Sequence, residues 1–197
     1  MNFICVLCDN STDNKLFGLI FLCKNCHLQI VNCFDDYEYN CFKYDAPISD
    51  LIWRYKYESD LTAAAILTVY ASSKLLVLIP NYDALIPMPV NQKRLRQRGI
   101  HVSDYLLRKM LRQCAVKKPI INTFNWRPIY SKPQQNLCSK ARQSNIQPNH
   151  FAIPKTISNA TNAKFLVFDD VMTTGATWRA LKANLPFKSD LFTLART

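Results

Sequence analysis

Phe165-Leu166-Val167-Phe168-Asp169-Asp170-Val171-Met172-Thr173-Thr174-Gly175-Ala176-Thr177 is the stretch on which the fold of this chain turns. Four consecutive apolar residues, Phe165 to Phe168, predict a strand buried on both faces, since a covered parallel strand needs no polar alternation. Two acids then stand at the strand's carboxyl end, where open α/β sheets place their ligands. A turn of small residues follows, and Ala176 to Leu185 has the apolar spacing of a helix. Strand, acidic pair, hydroxyl-rich turn and helix together predict an α/β fold with a mostly parallel sheet flanked by helices.

The same stretch predicts a site for a sugar phosphate. Asp169 and Asp170 can accept hydrogen bonds from two neighbouring hydroxyls, as on a ribose. The turn N–H groups and the positive end of the helix dipole can hold a phosphate. The chain has 3 glycines, Gly18, Gly99 and Gly175, in 197 residues, far below the usual ~7%. One of them lies in this turn, where a backbone approaching a phosphate excludes a side chain. A plain helix cap at Asp170 or Thr173 is the simpler alternative. Capping accounts for one polar residue, not for two acids, three threonines and a glycine together.

Outward from that stretch, Ala84-Leu85-Ile86-Pro87-Met88-Pro89-Val90 predicts a second short buried strand ending at a proline turn. Lys93, Arg94, Arg96 and Arg98 follow in what reads as a cationic loop, closed by Gly99 before a helical run from Ile100 to Leu111. Cations after a strand and before a helix suit a pyrophosphate, through charge-assisted contacts; a solvated loop or backbone contacts to nucleic acid are the alternatives. Pro47 to Leu67 carries Ile48, Leu51, Ile52, Tyr55 and Leu61 near helical spacing. Within it, Trp53-Arg54-Tyr55-Lys56-Tyr57 mixes aromatics and cations. The simpler reading is an amphipathic helix with packed rings and solvated cations; the other is a surface where bases stack beside phosphate-pairing cations. Arg127 to Asn145 lacks an apolar period and reads as an arm over the site. Ala163 to Phe168 and Leu191 to Leu194 complete the strands.

At the front, Cys5-x-x-Cys8 and Cys23-x-x-Cys26 are two C-x-x-C pairs with Gly18 between them, where a hairpin or knuckle would turn. Four thiolates at this spacing predict a closed, structural zinc site. In a reducing cytosol, metal is favoured over disulfides. His27 could replace Cys26, though a ligand's neighbour is more often a supporting group. Cys33, Cys41, Cys114 and Cys138 read as plain thiols. The expected division is a zinc ribbon over residues 1–42 and a larger domain over 43–197.

Lys and Arg total 25 and Asp and Glu 14, for a net charge of +11. That balance points to a polyanionic partner, nucleic acid first. No targeting segment is evident: Leu16 to Leu22 is too short, and Ile66 to Ile79, interrupted by Ser72, Ser73 and Lys74, is too short to span a bilayer. The expected compartment is the cytosol.

The Asp169–Thr177 stretch resembles the phosphoribosyl pyrophosphate (PRPP) motif of type I phosphoribosyltransferases. The resemblance implies that Asp169 and Asp170 take the ribose hydroxyls, and that Thr173, Thr174, Gly175, Ala176 and Thr177 take the 5′-phosphate. Magnesium would arrive with the pyrophosphate. Together with the four cysteines, Trp53–Tyr57, Leu85–Pro89, Lys93–Gly99, Pro133-Gln134-Gln135, Arg142 with Asn145, and Leu194-Ala195-Arg196, it is similar to the ComF family over nearly the whole chain. That family joins a zinc ribbon to a phosphoribosyltransferase-like domain. The resemblance implies a role in natural transformation, handling single-stranded DNA on the cytosolic side; a plainer reading is a scaffold whose zinc ribbon docks a partner such as a DNA-uptake helicase. Catalytic transfer of phosphoribosyl to a nitrogen nucleophile or base is the alternative. Two departures stand out. Ile100-His101-Val102 replaces the family's Phe-Asn-Gln, and Glu58 follows Lys56-Tyr57 where members often have Lys-Tyr-x-Gly.

Overall fold

The structure, a computed structural model, describes residues 3–18, 20–127, 148–158 and 162–197. Its centre is a parallel sheet of four strands in the order β5-β8-β7-β6: β5 (Asn40–Lys43), β6 (Ala84–Pro87), β7 (Lys164–Met172) and β8 (Lys188–Arg196). Outside β6, Ile120 adds a single parallel bridge to Leu85. The chain preceding β5 forms two short antiparallel pairs, β1 (Phe3–Ile4) with β2 (Ser11–Thr12) and β3 (Lys15–Phe17) with β4 (Ile20–Phe21). Gly18, at φ +56°, makes the turn between β3 and β4. Helix α1 (Lys24–Asn32) follows, and β5, at the junction of the two expected domains, is the sheet's edge strand on that side.

Strand side chains alternate between faces, so β6 and β7 feed two separate cores. Leu85, Leu166 and Phe168 pack into the larger one, with helices α2 (Ile48–Glu58), α3 (Leu61–Leu78) and α5 (Val102–Gln113). Ala84, Ile86, Phe165 and Val167 pack on the other face, against Trp126, Phe151 and helix α6 (Ala176–Lys182). Phe165 to Phe168 are buried on both faces for this reason.

Four elements differ from expectation. β7 does not stop before the acids but runs through them to Met172, because β8 keeps pairing with it as far as Met172↔Arg196. The helical stretch from Pro47 is two helices, not one. Ser59 takes a left-handed conformation at φ 57°, and Asp60 caps α3, accepting from Thr62 and Ala63 N–H at 2.8 and 3.0 Å. The basic segment is not a loop but helix α4 (Gln92–Arg98), which Asn91 caps and Gly99 ends in the left-handed region. α6 ends at Lys182 rather than Leu185.

The apolar run around Ile66 is also longer than expected. Leu61–Asn81, 21 residues with an 18-residue stretch of mean hydropathy 1.8, is long and apolar enough to cross a membrane, but 67% of that stretch is buried within the fold. Ser72, Ser73 and Lys74 do not interrupt it. The serines donate back to the Thr68 and Tyr70 carbonyls, and Lys74 reaches out to those of Asp35, Tyr37 and Asn40. A helix apolar all round is what a core position requires.

Candidate functional site

A cavity of about 840 Å³ opens at the carboxyl ends of β6 and β7, within the size range of small-molecule sites. Asp169, Asp170 and the turn Thr173–Thr177 line one side of it. Val171 N–H donates to Asp170 Oδ1 at 2.7 Å, and Asp170 N–H to Asp169 Oδ1 at 2.9 Å. These local bonds orient both carboxylates. Ser103 Oγ, from the first turn of α5, donates to Asp169 Oδ1 at 3.4 Å.

Burial, and then the neighbouring Asp170 carboxylate, push the Asp169 carboxyl up to about 7; Lys56 opposes them. Lys56 Nζ lies 2.8 Å from Asp170 Oδ2, with each side chain only 14% exposed. Lys56 thus pairs directly with Asp170, and Asp169 is poised to gain or lose its proton near neutrality.

The turn carries Gly175 at φ +70°, and a Cβ there would come within 3.2 Å of Arg179 Nη1. That guanidinium group donates to Thr174 O at 2.8 Å, fixing the turn from behind. α6 has only seven residues, so the turn's backbone, rather than a long helix dipole, is left to meet a phosphate.

The four basic residues of α4 separate by helical phase. Arg94 and Arg98, four residues apart, line the cavity, whereas Lys93 and Arg96 are exposed and do not. Residues at i and i+4 share a face; a loop reading had no means of making that division. Arg127, almost wholly buried, also lines the cavity, and burial followed by the nearby Arg94 lowers it to about 10. Ser103 is a polar lining residue that no sequence motif marked, whereas Arg127 begins the expected arm. Lys56 had a signal in its place among the aromatics, but only the helix shows that it turns inward. His101, which caps α5 by accepting from Asp104 N–H through Nδ1 at 3.2 Å, is held below its ordinary pKa by burial. It lines the cavity as a neutral ring.

Cys5, Cys8, Cys23 and Cys26 gather into a second site, with all four Sγ atoms within 4.8 Å of one another. Cys8 and Cys23 sulfurs are 3.6 Å apart, close to the ~3.8 Å between ligands of a tetrahedral centre with 2.3 Å zinc–sulfur bonds. Cys26 N–H donates to Cys23 Sγ at 3.5 Å, as the start of α1 bends round the cluster. Burial, and then the other thiols, raise Cys26. Burial acts the same way on Cys5, but backbone hydrogen bonds outweigh it and bring that thiol down to about 6. This donor set is compatible with a structural zinc site. His27 is turned away, its Nδ1 2.6 Å from Tyr70 OH on α3. Cys33, Cys41 and Cys114 lie outside the cluster. Cys138, Pro133, Gln134, Gln135, Arg142 and Asn145 fall outside the described residues, as does most of the expected arm. No protein-family model matches the chain, and no curated protein matches it either.

Proposed function

We propose that the cavity binds PRPP with magnesium, and that the chain is a ComF-like protein with a type I phosphoribosyltransferase-like domain that handles single-stranded DNA in the cytosol. One observation carries the reading. Paired carboxylates near the carboxyl end of a central parallel strand, which leads into a glycine-bearing threonine turn, share one cavity with Arg94, Arg98, Arg127 and Lys56, the last paired directly with Asp170. A molecule acidic at two ends with a vicinal diol between them matches that division of charge. The diol falls to Asp169 and Asp170, the 5′-phosphate to the Thr173–Thr177 turn, and the pyrophosphate to the cations. The acids are oxygen donors of the kind magnesium takes, and the ion would neutralise charge on the pyrophosphate. Cys5, Cys8, Cys23 and Cys26 would hold a structural zinc that folds the N-terminal segment. The net charge of +11 supports the nucleic-acid role.

The cavity cations favour a second reading, transfer of the phosphoribosyl group. A nitrogen nucleophile would bond to C1 as the C1–O bond breaks, with the electron pair leaving on pyrophosphate, stabilised by Arg94 and Arg98.

The test is calorimetric titration of the zinc-loaded protein with magnesium and PRPP, alone and beside a short single-stranded oligonucleotide. Asp170→Asn should weaken PRPP binding roughly 10- to 150-fold, the range for removing a charge-assisted hydrogen bond, with zinc content unchanged. Undiminished affinity in that variant overturns the site assignment.

A further inference from the structure

Trp53 and Tyr57 sit one helical turn apart on α2, 52% and 44% exposed. The other aromatic of that helix, Tyr55, is buried in the core. Helical phase explains the difference: Leu51 and Tyr55 pack into the larger core, with the Tyr55 ring against Tyr105 of α5, while Ile52, Trp53, Lys56 and Tyr57 line the cavity. The amphipathic pattern of α2 thus needs only Tyr55 and its aliphatic neighbours. Core packing does not account for two large exposed rings at Trp53 and Tyr57. Their ring centroids are 5.9 Å apart with planes inclined at 46°. The Arg98 guanidinium carbon stands 5.9 Å from the Tyr57 ring centroid, within reach of the ring's quadrupole. Both rings line the cavity that Asp169 and the threonine turn also line.

We infer that Trp53 and Tyr57 form a stacking platform for a base of single-stranded nucleic acid, which places that base in the same cavity as the phosphosugar. This deepens the proposed function and rests on it for the second ligand. Flat heterocycles stack on indole and phenol rings whatever their sequence. Charge decides in favour of a strand over an isolated base. The cations Arg96 and Lys93 extend from the same short helix as Arg98 to the protein surface, and a polyanionic backbone could follow them out of the cavity. A neutral free base has no use for that outward row. Because strand and phosphosugar would share one cavity, each should alter the affinity of the other by the same factor.

The experiment uses the full, zinc-loaded chain and two labelled oligonucleotides of equal length, one oligothymidylate and one abasic. The wild type should prefer the base-bearing strand. Trp53→Ala with Tyr57→Ala should bind it roughly 5- to 150-fold more weakly, the range for losing a stacked base, and bind the abasic strand as the wild type does. Trp53→Phe with Tyr57→Phe should keep most of the preference, showing that the loss follows the rings and not the fold. Equal affinity of wild type and alanine variant for oligothymidylate overturns the inference. So does an equal loss for both strands. Quenching of tryptophan fluorescence by free nucleobases, with oligonucleotide binding unaffected by the alanines, also overturns it, in favour of a small acceptor. PRPP binding is measured separately on the same proteins. Its absence from the wild type refutes the proposed function, while the base-against-abasic comparison remains readable.

Discussion

Replacing Asp169 by Asn should make the folded protein more stable, by an amount that grows with pH. The native environment raises this carboxyl from 3.8 to about 7, through burial first and the Asp170 carboxylate second. In the unfolded chain it ionises at its ordinary value. As pH rises from there, the unfolded state sheds its proton first, and native stability falls until the folded carboxyl has also ionised. The stabilising contribution is thus fully present below pH 3.8 and gone above about 7. At about 1.36 kcal/mol for each tenfold change, the ionised native state carries a cost of ~4 kcal/mol, of which ~3 kcal/mol accrues above pH 5. The Asp169→Asn variant escapes that cost. Urea unfolding of zinc-loaded, PRPP-free protein at pH 5 and pH 8 should show the variant's advantage widening between the two. In melting temperature ~3 kcal/mol corresponds to roughly 6–12 °C for a chain of this size. The same variant should lose PRPP binding, as expected where a strained charge is retained for function at a cost in stability. Parallel pH profiles for the two proteins would refute the reasoning, since they would mean that Asp169 ionises alike in the folded and unfolded chain.

Three further outcomes follow from the geometry. Lys56→Met removes the cation 2.8 Å from Asp170 and one of the influences holding Asp169 down; PRPP binding should then require higher pH, which titrations across pH 6.5 to 8.5 would reveal as a displaced profile. Arg94→Ala with Arg98→Ala should weaken PRPP binding, whereas Lys93→Ala with Arg96→Ala should spare it and flatten the salt dependence of oligonucleotide binding by ~0.7 for each phosphate no longer neutralised; identical behaviour of the two pairs would argue against the helical division of α4. Cys26→Ser, or chelation, should lower the melting temperature of the whole protein and not only of the N-terminal strands, because Cys26 and Ile30 belong to the core shared by α2, α3 and the sheet; a change in N-terminal signals alone, with the main transition unmoved, would contradict that coupling.

Elements governed by neighbours in the chain were legible from the amino acids alone. A run of four apolar residues ending at acids reads as a strand covered on both faces, and Phe165 to Phe168 form the buried first half of β7. Two C-x-x-C turns bring their own sulfurs together, and the cluster at Cys5, Cys8, Cys23 and Cys26 formed as the spacing predicts. Boundaries were less legible. β7 continues through Asp169 and Asp170 because β8, the next strand, supplies its ladder, and no residue beside the acids in the sequence marks how far that pairing extends.

The cavity's far wall belongs to the tertiary structure. Lys56, Ser103 and Arg127 come from three separate segments; the aromatic-cation stretch and the expected arm drew attention to the first and the last, but only the folded chain brings all three to one cavity. The same holds for the four cations of α4, which composition treats alike and helical phase sorts into two inside and two outside. By itself the sequence determined an α/β fold with a mostly parallel sheet, a buried strand that carries the acidic pair and a four-cysteine cluster, since each depends on local spacing and burial. Only tertiary structure decided which cations face the acids and which aromatics stay exposed beside them, because electrostatics and stacking act through space, between segments that the chain separates.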